Sequence, residues 1–154
     1  MKKRYFKEIP LIAVILIAFT SCAGAHSEAY VNKTDLYGIE ITETMTFDAK
    51  GDIIYQITEC MEMDFSELTA DETAEYKDIF KSSVADAYSS VDGVTCTNSM
   101  ENGIYKIEAV IPANEQTLSA LSETGVMQFH GTGKILSLKA TEKALESSGF
   151  TKKQ

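Results

Sequence analysis

Carboxylate side chains are concentrated in one stretch of this 154-residue chain and are the most obvious candidates for chemistry. Seven fall between positions 59 and 75: Glu59, Glu62, Asp64, Glu67, Asp71, Glu72 and Glu75. Two such groups in a cleft, held in unlike environments, could act as the acid and base of a glycosidase-like hydrolase. A calcium loop would need oxygen ligands at fixed spacing around a glycine, and the stretch contains none. The alternative interpretation is that these side chains are solvated, with Asp71 and Glu72 favouring a helix start.

Other reactive side chains are few. His26 and His130 are the two histidines, and one structured histidine cannot form a histidine-rich metal site. Cys60, Met61 and Met63 have sulfur-containing side chains of the kind that bind copper. A strand would, however, place Cys60 on the face opposite both methionines. We therefore predict no cofactor, no metal site and no catalytic residue.

Residues 1–21 have the pattern of an export signal. A basic start precedes an apolar run at 9–19, which is shorter than the roughly 20 residues that a membrane-spanning helix needs. The following Thr-Ser-Cys-Ala, residues 20–23, resembles the lipobox of bacterial lipoproteins, in which the cysteine is diacylated and becomes the first mature residue. We predict that Cys22 anchors an exported domain to the bacterial cell membrane or outer membrane. The alternative is an ordinary secretory signal with a chance cysteine.

The chain that remains after residue 21 has 133 residues, enough for one domain with its own core. It carries 10 basic and 22 acidic residues, a net charge of −12, which repels phosphate backbones. We therefore predict no nucleic-acid partner. Residues 22–36 lack a sustained hydrophobic period and are predicted to be the lipidated cysteine and a flexible tether reaching roughly 20 Å. The folded domain is predicted to span residues 37–154 and to stand off the bilayer.

Cys60 and Cys96 are the thiols left free if Cys22 is acylated. An exported domain often oxidises such a pair, and a bridge would close the loop between them and contribute about 4 kcal/mol. The sequence leaves open whether the two Cα atoms lie within bonding range.

The hydrophobic pattern predicts an α+β fold with a mostly antiparallel sheet, in the order strand, strand, helix, strand, strand, helix. The first hairpin is predicted at 37–47 and 53–63, with Ile53, Tyr55 and Ile57 on its inner face and Glu59 as a polar exception there. The second hairpin, 94–111, turns at Asn102-Gly103.

Two helices are predicted to cover this sheet. Thr69-Ala70-Asp71-Glu72 matches a capping box and starts a central amphipathic helix that ends at Asp92-Gly93. Residues 139–148 form the final helix, which Gly149 stops while Phe150 packs back. A short helix is expected at 114–123 and a short strand at 135–138.

Several of these segments together resemble the YehR-like family of small bacterial lipoproteins of unknown function. They are the lipobox, Phe47 with Lys50-Gly51-Asp52, the helix end Val91-Asp92-Gly93-Val94, and the tail from Leu136 to Phe150. The resemblance implies the fold and an envelope location. It supplies no catalytic residue.

The function that this sequence favours is a non-enzymatic binding or interaction module on the bacterial envelope. Its partners would be the membrane, through the lipid anchor, and a protein or small ligand. Thr42, Thr44 and Thr46, on the outer face of a strand, are the candidate contact face. The alternatives are an envelope hydrolase that uses carboxylates and a purely structural envelope component. An enzyme should show a concave site containing a carboxyl of raised pKa, whereas a binding module should show an apolar groove or patch.

Overall fold

One antiparallel sheet organises the part of the chain that the computed structural model describes, residues 24–128 and 135–154. Seven strands in these ranges form it, and six lie in the order β4-β5-β3-β2-β1-β7, with β6 paired to β3. The strands are β1 (Ala25–Leu36), β2 (Ile39–Lys50), β3 (Ile53–Asp64), β4 (Thr95–Glu101), β5 (Ile104–Pro112), β6 (Leu136–Ser137) and β7 (Thr151–Lys152). The predicted α+β class with a mostly antiparallel sheet is confirmed. The predicted export signal, Cys22 and His130 lie outside the described residues.

Strand β1 corrects the predicted tether. It pairs with β2 along its whole length, from Ala25 opposite Lys50 to Leu36 opposite Ile39. The prediction failed because β1 is mostly polar and contributes few apolar side chains to the core, among them the fully buried Tyr30. A strand of this kind forms through its backbone hydrogen bonds to a neighbour, which hydrophobic periodicity does not report. The folded domain therefore includes residues 25–36, which were predicted to be a tether.

A β-bulge in β3 corrects the predicted inner face of the first hairpin. Asp48 pairs with Gln56 and Ala49 pairs with Ile54, so Tyr55 is an extra residue on β3. The bulge buries Ile54 and leaves Ile53 and Tyr55 half exposed. Strict alternation, counted from the buried Ile57, cannot anticipate this shift because it assumes one residue per pleat.

A continuous helical segment crosses the sheet between the two hairpins. It consists of α1 (Ala70–Phe80), a π-helical turn (Lys81–Ala85) and α2 (Asp86–Ser89). The predicted capping box is present: the Glu72 amide donates to the Thr69 hydroxyl and the Thr69 amide donates to the Glu72 carboxylate. The π turn adds a residue to one turn, which rotates the buried face. Ala85 is therefore buried, while Ile79, before the π turn, is 48% exposed.

Two further helices follow the second hairpin, whose Asn102-Gly103 turn has positive φ at both residues as predicted. They are α3 (Glu115–Thr124), capped by the Asn114 side chain, and α4 (Leu138–Ser147), capped by Ser137. Gly149, at φ 92°, ends the last helix, and the Phe150 amide donates to the Leu145 carbonyl oxygen. Phe150 packs against the core, as the sequence predicts.

All these helices cover the same face of the sheet. The core between them has two parts: a larger one that includes Phe47, Ile57 and Leu121, and a smaller one that includes Met63, Phe80 and Tyr105. The opposite face of the sheet carries mainly polar side chains. Among the residues described, no helix is long and apolar enough to cross a bilayer.

Candidate functional site

A groove of about 650 Å³ lies on the covered face of the sheet, between α3 and α4. This volume is in the range of small-molecule sites in proteins. The floor is apolar and comes from the two central strands: Met45, Phe47 and Ile57. The walls and ends come from α3, α4 and their flanks: Glu115, Leu118, Ser119, Ser122, Met127, Gln128, Ile135, Leu136, Ser137, Ala140, Thr141, Ala144, Leu145 and Ser148.

Three of the residues that line the groove on α4 and directly after it are small. Ala140, Ala144 and Ser148 recur every four residues, so they lie on one face of the helix. The long apolar side chains of α4, Leu138 and Leu145, pack against the core beside this face. Ser119 and Ser122 make the opposing wall on α3 similarly short. The space between the two helices therefore stays open above Phe47.

Both ends of α4 are fixed to the sheet, which keeps the groove in shape. At its start, the Ser137 hydroxyl donates to the Asp52 carboxylate at 2.7 Å and the Lys139 amide donates to the same group at 2.9 Å. These hydrogen bonds hold the pKa of Asp52 below its ordinary value. At the other end, the chain leaves α4 and enters β7, which pairs with β1 and whose Lys152 forms an ion pair with Glu28 at 2.8 Å. The groove walls are thus tied to the β2–β3 turn and to β1.

The lining suits an uncharged ligand. Glu115 is the one charged side chain among the lining residues in the described ranges, and the hydroxyls of Ser119, Thr141 and Ser148 supply hydrogen-bonding groups beside an apolar floor. Sequence reasoning missed this site because no single residue in it is unusual. The signal that could have found it is the run of small residues at four-residue spacing on the last helix.

A buried polar pair, Glu59 and Tyr88, lies under the other helical segment. The Glu59 side chain is 7% exposed, and the Tyr88 hydroxyl donates a hydrogen bond to its carboxylate. Burial raises the pKa of Glu59 to about 7, the Tyr88 hydrogen bond opposes that rise, and the nearby Glu43 adds to it. Desolvation also raises the pKa of Glu43. The sequence identified Glu59 as a polar exception on the inner face, but not its partner.

The other candidate carboxylates are not gathered into a cleft with Glu59. Glu62 and Asp64 lie towards the end of β3, and with Glu40 they line a shallow depression of about 200 Å³ on the open face. Asp71 and Glu72 occupy the first turn of α1, as the solvated interpretation expects. Glu59 itself is not among the lining residues of the groove. The carboxyl of raised pKa and the concave site are therefore separate features.

The Cys60–Cys96 bridge, which the sequence left open, is not formed between these two described residues. Cys60 pairs with Glu108 on β5, while Cys96 pairs with the next residue, Ala109, so the two side chains leave opposite faces of the sheet. Strand β5 also lies between them, which separates their Cα atoms by roughly 10 Å, beyond the reach of a disulfide. Both thiols are free, and burial raises the pKa of each.

Thr42, Thr44 and Thr46 lie on the open face of β2, opposite Glu62, Cys60 and Thr58 of β3. They are half-buried among their strand neighbours; Thr42 lines the shallow depression with Glu40 and Glu62, and Thr44 and Thr46 continue the row along β2. Nothing in their geometry distinguishes this contact face from an ordinary polar sheet surface.

Comparisons with known proteins agree on the fold. The profile of a family described as "Protein of unknown function (DUF1307)" matches residues 27–151. The NMR structure of the E. coli YehR protein is similar, with a TM-score of 0.61 and 18% identity over 84% of this chain and 93% of that chain. An NMR structure of a Streptococcus pneumoniae TIGR4 protein has a TM-score of 0.58 and 10% identity over 99% of both chains. None of the curated proteins matches the chain.

The family match covers all the strands that form the groove floor and both helices that form its walls. At these low identities the two solved structures show the shared fold and nothing more. The chain belongs to the DUF1307 family, whose function is unknown, and the YehR-like resemblance predicted from its sequence is confirmed.

Proposed function

We propose that this protein is an envelope lipoprotein, anchored through Cys22, whose groove binds a small, largely apolar ligand without chemically changing it. The anchor rests on the sequence of the first 22 residues. The binding role rests on one observation: an open groove of about 650 Å³ between α3 and α4, with the start of α4 tied to the β2–β3 turn. A space of this size lined by fixed elements is preorganised for a ligand.

The floor and walls define the class of ligand. Met45, Phe47 and Ile57 would contact an apolar body, and Phe47 is held in place by an edge-to-face contact with Tyr30 at 5.9 Å between ring centroids. The hydroxyls on the walls would contact a small number of hydrogen-bonding groups. A strongly anionic ligand is disfavoured by the acidic character of the whole domain.

The separation of Glu59 from the groove favours binding over hydrolysis. A general acid must lie within hydrogen-bond reach of the atom that it protonates. Glu59 is enclosed beneath α2 with Tyr88 as its partner, so a ligand in the groove would not contact it. Its raised pKa follows from burial, as it does in many structural carboxyl groups.

The test is a titration of the neutral fluorophore N-phenyl-1-naphthylamine into a chain that begins at residue 23 and therefore needs no detergent. We expect saturable binding with enhanced emission. Ala144→Phe places an aromatic ring in the groove and should abolish the saturable component.

Ser147→Phe is the matched control, because it makes a similar change on the same helix at an exposed position outside the lining. Binding that is unchanged in Ala144→Phe, or lost equally in both variants, would contradict the assignment. The absence of any saturable binding by the unmodified chain would favour a purely structural role.

A further inference from the structure

We infer that the end of the domain that carries the β2–β3 turn rests on the bilayer surface. This inference rests on the proposed lipid anchor at Cys22. Its starting point is the place where the described chain begins: the Gly51 amide donates to the Gly24 carbonyl oxygen at 3.2 Å, and Ala25 pairs with Lys50. The first residues of the folded domain are therefore fixed beside the turn.

The covalent distance from the anchor to this point is short. One residue, Ala23, separates Cys22 from Gly24, and two residue steps span at most about 7 Å. A lipid on Cys22 would therefore hold the turn within that distance of the headgroups. The domain cannot stand off the bilayer as it would on a 14-residue tether.

Exposed apolar side chains lie at this same end. Ile53 and Tyr55, brought outward by the β-bulge, are 51% and 50% exposed, and Ile135, next to the strand that pairs with Ile54, is 63% exposed. Tyrosine is well suited to the interfacial region, where its ring contacts apolar groups while its hydroxyl stays hydrated. The bulge thus gives the anchored end an apolar contact surface.

The opposite end also carries an exposed aromatic, Tyr37, but it holds more acidic side chains than the β2–β3 turn, where Asp52 lies near Lys50 in the chain. Glu40, Glu62 and Asp64 lie together at the far end of the sheet, and α1 begins there with Asp71 and Glu72. Acidic groups are repelled by the anionic lipids of bacterial membranes. The acidic end is therefore turned away from the bilayer, roughly 35 Å along the strands from Ile53.

The same orientation places the groove near the membrane. Ile135 belongs both to the exposed apolar surface and to the groove lining, and Leu136 and Ser137 follow it at that end of the groove. A largely apolar ligand could therefore move between the bilayer and the groove without crossing much water.

The chain contains no tryptophan, so single-tryptophan reporters test this orientation. The full lipidated protein is reconstituted into phosphatidylcholine vesicles that contain brominated acyl chains, which quench tryptophan at short range. Tyr55→Trp and, as a second reporter, Ile135→Trp should lose emission and shift to shorter wavelength. Tyr37→Trp, an exposed aromatic position at the far end, is the matched control and should keep its emission.

Cosedimentation with the vesicles tests the lipid anchor separately from the orientation of the domain. If the protein cosediments but neither near-end reporter is quenched, or Tyr37→Trp is quenched equally, the orientation is overturned and the anchor stands. If the protein does not cosediment and carries no lipid, both the anchor and the orientation are overturned, while the groove titration is unaffected.

Discussion

The two halves of the covered sheet face differ in how their helices fill the space above the strands. Under α1 and α2 the contact is closed, and it buries Tyr88 together with the carboxyl group of Glu59. Between α3 and α4 the contact is open, and the small residues Ala140, Ala144 and Ser148 line the space. The same sheet thus supports a fully packed region and an open groove.

Truncation of Tyr88 should give the largest effect, because it breaks the closed region. Tyr88→Ala removes a buried ring and leaves the Glu59 carboxyl without its donor, which should lower the free energy of unfolding by about 3–5 kcal/mol. Leu145→Ala, in the wall of the open groove, should cost about 1 kcal/mol, since this side chain is only half-buried. Urea denaturation of both variants measures the two losses in the free energy of unfolding. Equal losses would show that the two halves are packed alike.

The closed region should also make stability depend on pH. Glu59 titrates near 4.5 when unfolded and about 7 when folded, so the folded chain keeps a proton that the unfolded chain releases. Below pH 4.5 its carboxyl is protonated in both states. As pH rises towards 7 the free energy of unfolding should fall by about 3 kcal/mol, and then level off.

Glu59→Gln is the control for this pH dependence, because it keeps the shape of the side chain and cannot ionise. It should remove most of the fall, leaving the smaller part due to Glu43, whose pKa burial also raises. Urea midpoints measured from pH 4.5 to 8 provide the test. An unchanged slope in Glu59→Gln would assign the dependence to other groups.

Removal of the side chain that caps α4 should have a smaller effect on the free energy of unfolding. It tests whether this cap holds the start of the helix beside the groove. Ser137→Ala removes the side chain that accepts from the Ala140 amide and donates to Asp52, which should cost about 1 kcal/mol. Hydrogen exchange should speed up in the first turn of α4, while α3 is unchanged. Thr69→Ala, the equivalent cap of α1, is the matched control and should leave α4 exchange as it was. Faster exchange throughout both groove helices would mean that Ser137 supports more than the local cap.

Oxidation should have the smallest effect. Because Cys60 and Cys96 lie on opposite faces of the sheet, mild oxidation of the folded chain should leave both thiols free to react with a maleimide. Mass spectrometry counts the labels on the chain that begins at residue 23. Loss of both reactive thiols without dimerisation would require a strand register different from this one.

Short sequence motifs correctly predicted the helix ends and turns that depend on a few neighbouring residues. The Thr69–Glu72 capping box, the Asn102-Gly103 turn and the Gly149 stop all act within a few residues, and all are present. Strand β1 was missed because it is held by backbone pairing with β2 and contributes few apolar side chains to the core. The bulge at Tyr55 was missed because it depends on the register between two strands.

The groove could not be predicted from the sequence for a similar reason. Phe47, Ser119 and Ala144 come from three elements, and a cavity between them depends on how α3 and α4 approach the sheet. The predicted contact residues, Thr42, Thr44 and Thr46, are on the opposite face. Glu59 was recognised as unusual because a carboxylate interrupted an apolar face. A single residue that departs from a local pattern can be found in the sequence, whereas a cavity formed by residues from several elements cannot.

The most direct test of the account is a ¹H–¹⁵N NMR titration of the residue-23 chain with N-phenyl-1-naphthylamine. The account requires shifts confined to the groove: the amides of α3, α4 and the β2–β3 floor around Phe47 and Ile57. The amides of α1 and α2, under which Glu59 is enclosed, should not move. Shifts centred on α1 and α2, or spread along the open face at Thr42, Thr44 and Thr46, would contradict the groove as the ligand site.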